Sequence, residues 1–173
     1  MNSTAPPPAA NMPAAPLSID GHALDLDGDR DIAFLLRNVR RWLIGLRHSA
    51  PDSLDRVWND FACRFGSDKG KEALAALAGS IKTIQLHARR RLRYHPPCCR
   101  YLTPDELGYL HFIAACQAGD KVGSRQRAEW LVTSDGLTTL LESGRRLADL
   151  LRDRGVTIRS HTRLHETQHS SAA

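Results

Sequence analysis

Apolar positions along this chain recur with the period of a helix, and no run shows the alternation of a half-buried strand. Ile32, Leu35, Leu36, Val39, Leu43 and Leu46 form one stripe, with Trp42 at its edge and Arg37, Arg40 and Arg41 mostly away from it. Asp31 is suited to cap this first helix. After Pro51, with Asp52 or Ser53 opening it, a second helix aligns Leu54, Val57, Trp58, Phe61 and Phe65 and stops at Gly66. A third is expected from about Asp68 to Leu92, with Leu74, Leu77, Ile81, Ile84, Ala88 and Leu92 on one side. Pro96 and Pro97 cannot continue it, because they lack amide donors and restrict the residue before them.

Thr103, Pro104 and Glu106 carry the sharpest local signal. Threonine suits the cap, proline the first helical position, and glutamate the return bond of a capping box. The helix they open, to about Ala118, is apolar nearly all round, as expected of a central buried element. Gly119 stops it. A shorter helix from about Val122 to Val132 follows. Ser134 or Asp135 then caps a last one carrying Leu137, Leu140, Leu141, Leu147, Ala148 and Leu151, which ends before Gly155. The fold class expected is all-α, a compact bundle of five or six helices. The segment from Leu102 to Glu106, with Leu110 and Ile113, resembles the opening of helix-turn-helix domains in quorum-sensing-type activators over about a dozen residues. The pattern departs from them after Gly119, so no family property is carried across.

Composition sets the boundaries. Residues 1–30, proline- and alanine-rich and then acidic, have little to bury and are expected to be disordered, as is the His-containing tail 160–173. Residues 31–159 form the helical domain. Charge divides along the same lines: residues 1–31 carry a net −4 and residues 32–159 a net +9, within a chain total of +5. A basic body attracts polyanions such as nucleic acid, acidic protein segments or anionic lipid. No segment has the apolar length of a transmembrane helix, and no secretory signal is apparent, so a cytoplasmic location is expected.

Candidate chemistry concentrates in one stretch. Residues 73–104 contain no acidic side chain, and near their end lie Arg89, Arg90, Arg91, Arg93, Tyr94, His95, Pro96, Pro97, Cys98, Cys99, Arg100 and Tyr101. The arginines and tyrosines suit phosphate contacts and base stacking. Arginines at a helix C-terminus also favour the dipole without any partner. Thiolates and imidazoles suit zinc, and Cys63, His95, Cys98 and Cys99 make a candidate ligand set. Cys116, beside Tyr109 and Phe112 on the buried helix, is a poorer candidate. The adjacent Cys98 and Cys99 also read as a redox-reactive, metal-free thiol pair, and the remaining reading takes all four thiols as inert.

Other motifs fail on context. His165, Glu166 and His169 match the zinc-peptidase pattern, but nothing near them can pack a helix. Asp25, Asp27, Asp29 and Asp31 superficially suggest a calcium loop but lack its terminal glutamate. There is no phosphate loop, dinucleotide fingerprint or nucleophile elbow, and His111 reads as a core histidine. The balance favours a small non-catalytic regulatory or accessory protein. A nucleic-acid-binding module and a plain helical interaction domain are the alternatives.

Overall fold

The computed structural model of the protein describes residues 29–159. They form six helices: α1 (Arg30–His48), α2 (Pro51–Phe65), α3 (Ser67–His87), α4 (Pro104–Gln117), α5 (Lys121–Leu131) and α6 (Ser134–Asp153). The architecture is an all-α bundle, with an isolated bridge between Ala88 and Val132 among the described residues. None of these helices is long and apolar enough to cross a membrane.

Short connections make consecutive helices neighbours. α2 lies on α1 and α3, α5 lies on α4, and α3 has its most extensive packing against α6. The stripes expected from the sequence meet in one core, where Leu35, Val57, Phe61, Leu77, Phe112, Ile113, Leu140 and Leu147 are all fully buried, whereas Leu46, at the end of the first stripe, is exposed. The α4–α6 crossing is close because Gly144 lacks a side chain. A Cβ there would overlap the Phe112 ring. Past Gly155, which has a positive φ of 69°, the chain turns back and buries Val156 and Ile158. Gln117 holds that return, donating to the Val156 carbonyl at 2.8 Å and accepting from the Ile158 amide at 2.8 Å.

Helix ends follow local chemistry, with corrections to the expected caps. The α1 cap is Asp29, whose carboxylate accepts from the amides of Asp31 and Ile32; Asp31 instead pairs with Arg64 and accepts from the Thr157 amide. Helix α2 starts at Pro51 behind Ala50, without a side-chain cap, and Ser53 donates to the Arg41 carbonyl. Helix α6 starts at Ser134 itself. The capping box of Thr103 and Glu106 on α4 is formed in both directions.

The largest correction is the end of α3, at His87 rather than near Leu92. Ala88 adopts extended backbone (φ −61°, ψ 135°) and bridges to Val132. Around it, the Thr133 amide donates to the His87 carbonyl at 2.8 Å, and the Arg89 amide to the Leu131 carbonyl at 3.3 Å. Leu92 still packs against the core, but from irregular backbone past the helix end. A leucine in helical phase satisfies both arrangements, and the hydrogen bonds offered by residues 131–133 decide between them.

Candidate functional site

Residues 88–103 connect α3 to α4 without a helix or strand. Ordered connections this long are uncommon in compact domains and are frequently functional. This one is anchored to an arginine that the apolar pattern places outside the core. Arg40, in the middle of α1, is only 1% exposed. Its Nε and Nη2 donate to the two carboxylate oxygens of Glu106 at 2.7 and 2.9 Å. Nη1 donates to the carbonyls of Cys99 at 2.5 Å and Pro96 at 3.4 Å, and Nη2 also to that of Tyr101 at 2.6 Å. All five guanidinium N–H groups are therefore used.

Glu106 is equally occupied. Besides Arg40, it accepts from the backbone amides of His95 at 3.0 Å and Thr103 at 2.8 Å. Its neighbour Asp105 accepts from the Arg93 amide at 2.7 Å and pairs with Arg90 at 2.5 Å. Both carboxylates sit in the first turn of α4, where the helix dipole favours negative charge. The two acidic residues that end the acid-free stretch thus hold its backbone in place. A buried ion pair is tolerable only when its remaining hydrogen-bonding capacity is met, and here the backbone of the connection meets it.

The arginines of the bend separate into two groups. Arg89 donates to the Glu129 carbonyl at 2.5 Å, and Arg90, besides its bond to Asp105, lies over the Trp130 ring with its guanidinium carbon 4.3 Å from the centroid. Trp130 is in turn pressed against Gly108, where a Cβ would come within 2.5 Å of the ring. These two arginines fasten the bend to α4 and α5. The side chains of Arg91 and Arg93 are exposed and make no ion pair with the described residues. Arg100 is exposed, Tyr101 is 53% exposed and Tyr94 is half-buried. Arg89, Arg90 and Arg91 lie beyond the end of α3 rather than in its last turn, where the sequence pattern places them.

Cys98 is exposed and Cys99 half-buried on the bend, Cys63 is exposed on α2, and Cys116 is buried on α4. Among the described residues, no three His, Cys, Asp or Glu side chains gather where they could hold a metal ion. Cys63 instead lines a shallow groove between α1 and α2 with Arg30, Phe34, Arg37, Asp60 and Arg64. Burial pushes the Cys116 thiol up from its ordinary 9.0 to about 11, so it stays protonated at neutral pH. Burial likewise raises Tyr109, whose hydroxyl bonds to that of Ser80 at 2.8 Å. Half-buried His111 lies on α4. The residues from His165 to His169, and Asp25 and Asp27, lie outside the described residues.

Sequence reasoning missed Arg40 and Trp130. The signal for Arg40 was its position directly after Val39 in the apolar stripe, one turn past Leu36. No family model, curated protein or solved structure matches this chain.

Proposed function

We propose that this is a non-catalytic accessory or regulatory protein that binds an anionic partner through the outer edge of the 89–101 bend. The observation that carries the reading is the Arg40–Glu106 anchor. A buried, fully hydrogen-bonded ion pair is used here to hold an irregular segment still, and that segment's outward side chains include two arginines with no carboxylate partner among the described residues. Holding a recognition loop rigid lowers the entropy lost on binding. The chemistry suits an adaptor, because the outward face of the bend supplies cations for an anion's charge.

Nucleic acid is the polyanion that these residues favour. Exposed Tyr101 and the partly exposed indole of Trp130, already stacked with Arg90, offer faces for unpaired bases beside the cations of Arg91 and Arg93. Titration of labelled single-stranded DNA and RNA over a series of salt concentrations tests this. Affinity is expected to fall linearly on logarithmic axes, and the double substitution Arg91→Ala with Arg93→Ala to reduce the slope by about 1.4, at about 0.7 per single-strand phosphate contact. A negatively charged peptide titrated in parallel distinguishes an acidic protein partner. Salt-independent binding, or none to any of these anions, overturns the proposal.

A further inference from the structure

We propose that Cys98 and Cys99 form an oxidant-sensitive dithiol site, closing to a disulfide between adjacent residues and thereby loosening the bend from Arg40. The two thiols are free, and both have solvent access on a proline-stiffened turn in which the Cys99 amide donates to the Pro96 carbonyl at 3.0 Å. Cys63 is the other exposed thiol on the described surface, and it has no thiol beside it in sequence.

The reaction balances with a peroxide as oxidant. The Cys98 thiolate attacks one peroxide oxygen, forming a sulfenic acid and releasing hydroxide, which takes up the thiol proton as water. The Cys99 thiol then displaces the sulfenic oxygen as a second water, and the S–S bond forms. Two thiols and one hydrogen peroxide yield one disulfide and two waters.

Closure is mechanically tied to the anchor. The eight-membered ring contains the bonds that set ψ of Cys98, the intervening peptide and φ of Cys99. Those torsions also aim the Cys99 amide at Pro96 and the Cys99 carbonyl at Arg40, bonds of 3.0 and 2.5 Å in the reduced protein. Adjacent Cα atoms are about 3.8 Å apart, below the roughly 4.4–6.8 Å that an unstrained disulfide spans. The ring must therefore distort this backbone. A strained, exposed disulfide is readily reduced, which suits a reversible modification. Arg40 loses the Cys99 carbonyl, one of the three backbone acceptors that tie the bend to it, so the segment from His95 to Thr103 is loosened.

The test is peroxide titration of the full-length protein, followed by mass mapping and amide hydrogen exchange. The peptide containing Cys98 and Cys99 is expected to lose two hydrogens, about 2 Da, with no intermolecular product. The amides of His95 and Thr103, both held by Glu106, are expected to exchange about tenfold faster or more, and dithiothreitol to restore them. Cys98→Ser and Cys99→Ser each remove both effects, while Cys63→Ser retains them. Helicity measured before oxidation verifies that each variant is folded. Oxygen addition or intermolecular crosslinking in place of the ring overturns the proposal, as does a ring that leaves the two amides protected. Neither measurement involves the anionic partner, so failure here is distinct from failure of the binding reading.

Discussion

At the scale of single residues, Arg40 and Glu106 matter more than any core leucine to the candidate site. Either Arg40→Met or Glu106→Gln leaves a buried charge short of partners, and urea denaturation is expected to show a loss of about 3–5 kcal/mol. Pairing Arg40→Met with Glu106→Leu is expected to cost less than the sum of the single changes, because no lone charge is left. It is not expected to restore wild-type stability, since the carbonyls of Cys99 and Tyr101 and the amides of His95 and Thr103 would lose their partners. Cys116 gives a different signature. Its folded thiol titrates near 11 against an ordinary 9.0, so between those values the unfolded chain sheds a proton that the native state keeps. Stability therefore falls as pH rises through that window, and this thiol contributes no slope below it. Urea midpoints measured from pH 8 to 10 should fall less steeply for Cys116→Ala. Tyr109, also raised by burial, adds its own slope above its ordinary 10.0.

Helix ends and crossings decide where the bend starts and stops. Thr103 accepts from the Glu106 amide at 3.1 Å and donates to the Arg93 carbonyl at 2.8 Å, so its hydroxyl serves the α4 cap and the bend together. Thr103→Ala is expected to cost about 1–2 kcal/mol, the upper part of the range for a lost cap, with Thr103→Ser recovering most of it in the same denaturation assay. The α4–α6 crossing behaves oppositely to helix propensity. Alanine is the better helix former by about 1 kcal/mol, yet Gly144→Ala places its methyl against Phe112. A net loss of about 1–2 kcal/mol is expected, because overpacking costs up to about 3 kcal/mol and outweighs the propensity gain. A higher thermal midpoint for Gly144→Ala would show that the crossing can open without penalty.

Over the whole molecule, charge rather than shape distinguishes the two ends of the chain. Residues 1–28 contain Asp20, Asp25 and Asp27 and no lysine or arginine, so removing them raises the net charge from +5 to +8. A protein comprising residues 29–173 is expected to bind single-stranded nucleic acid more tightly than the full chain at low salt. The difference should shrink towards zero near 1 M salt, where screening acts within about 3 Å. Equal affinities throughout the series would mean that the acidic arm's field does not reach the bend. The groove beside Cys63 belongs to this scale as well, since it adds Arg30 and Arg37 to the positive surface of α1.

Sequence pattern was enough for an all-α bundle of five or six helices and for most of the apolar residues that line its core. Those features rest on local periodicity, proline and glycine stops and the α4 capping box, all of which act within a few residues of one another. It also located the basic, thiol-bearing bend. Tertiary structure alone decided what that bend is attached to. Arg40 and Glu106 are 66 positions apart, and burying a guanidinium is tolerable only where a distant carboxylate and three backbone carbonyls converge on it. The end of α3 was decided in the same way. Leu92 can reach the core from a helix or from irregular backbone, and the partners that chose the latter come from residues 105 and 129–133. Short-range patterns specify where a helix can form, but hydrogen-bonding demand across the fold decides which polar groups can be buried and where irregular backbone is held.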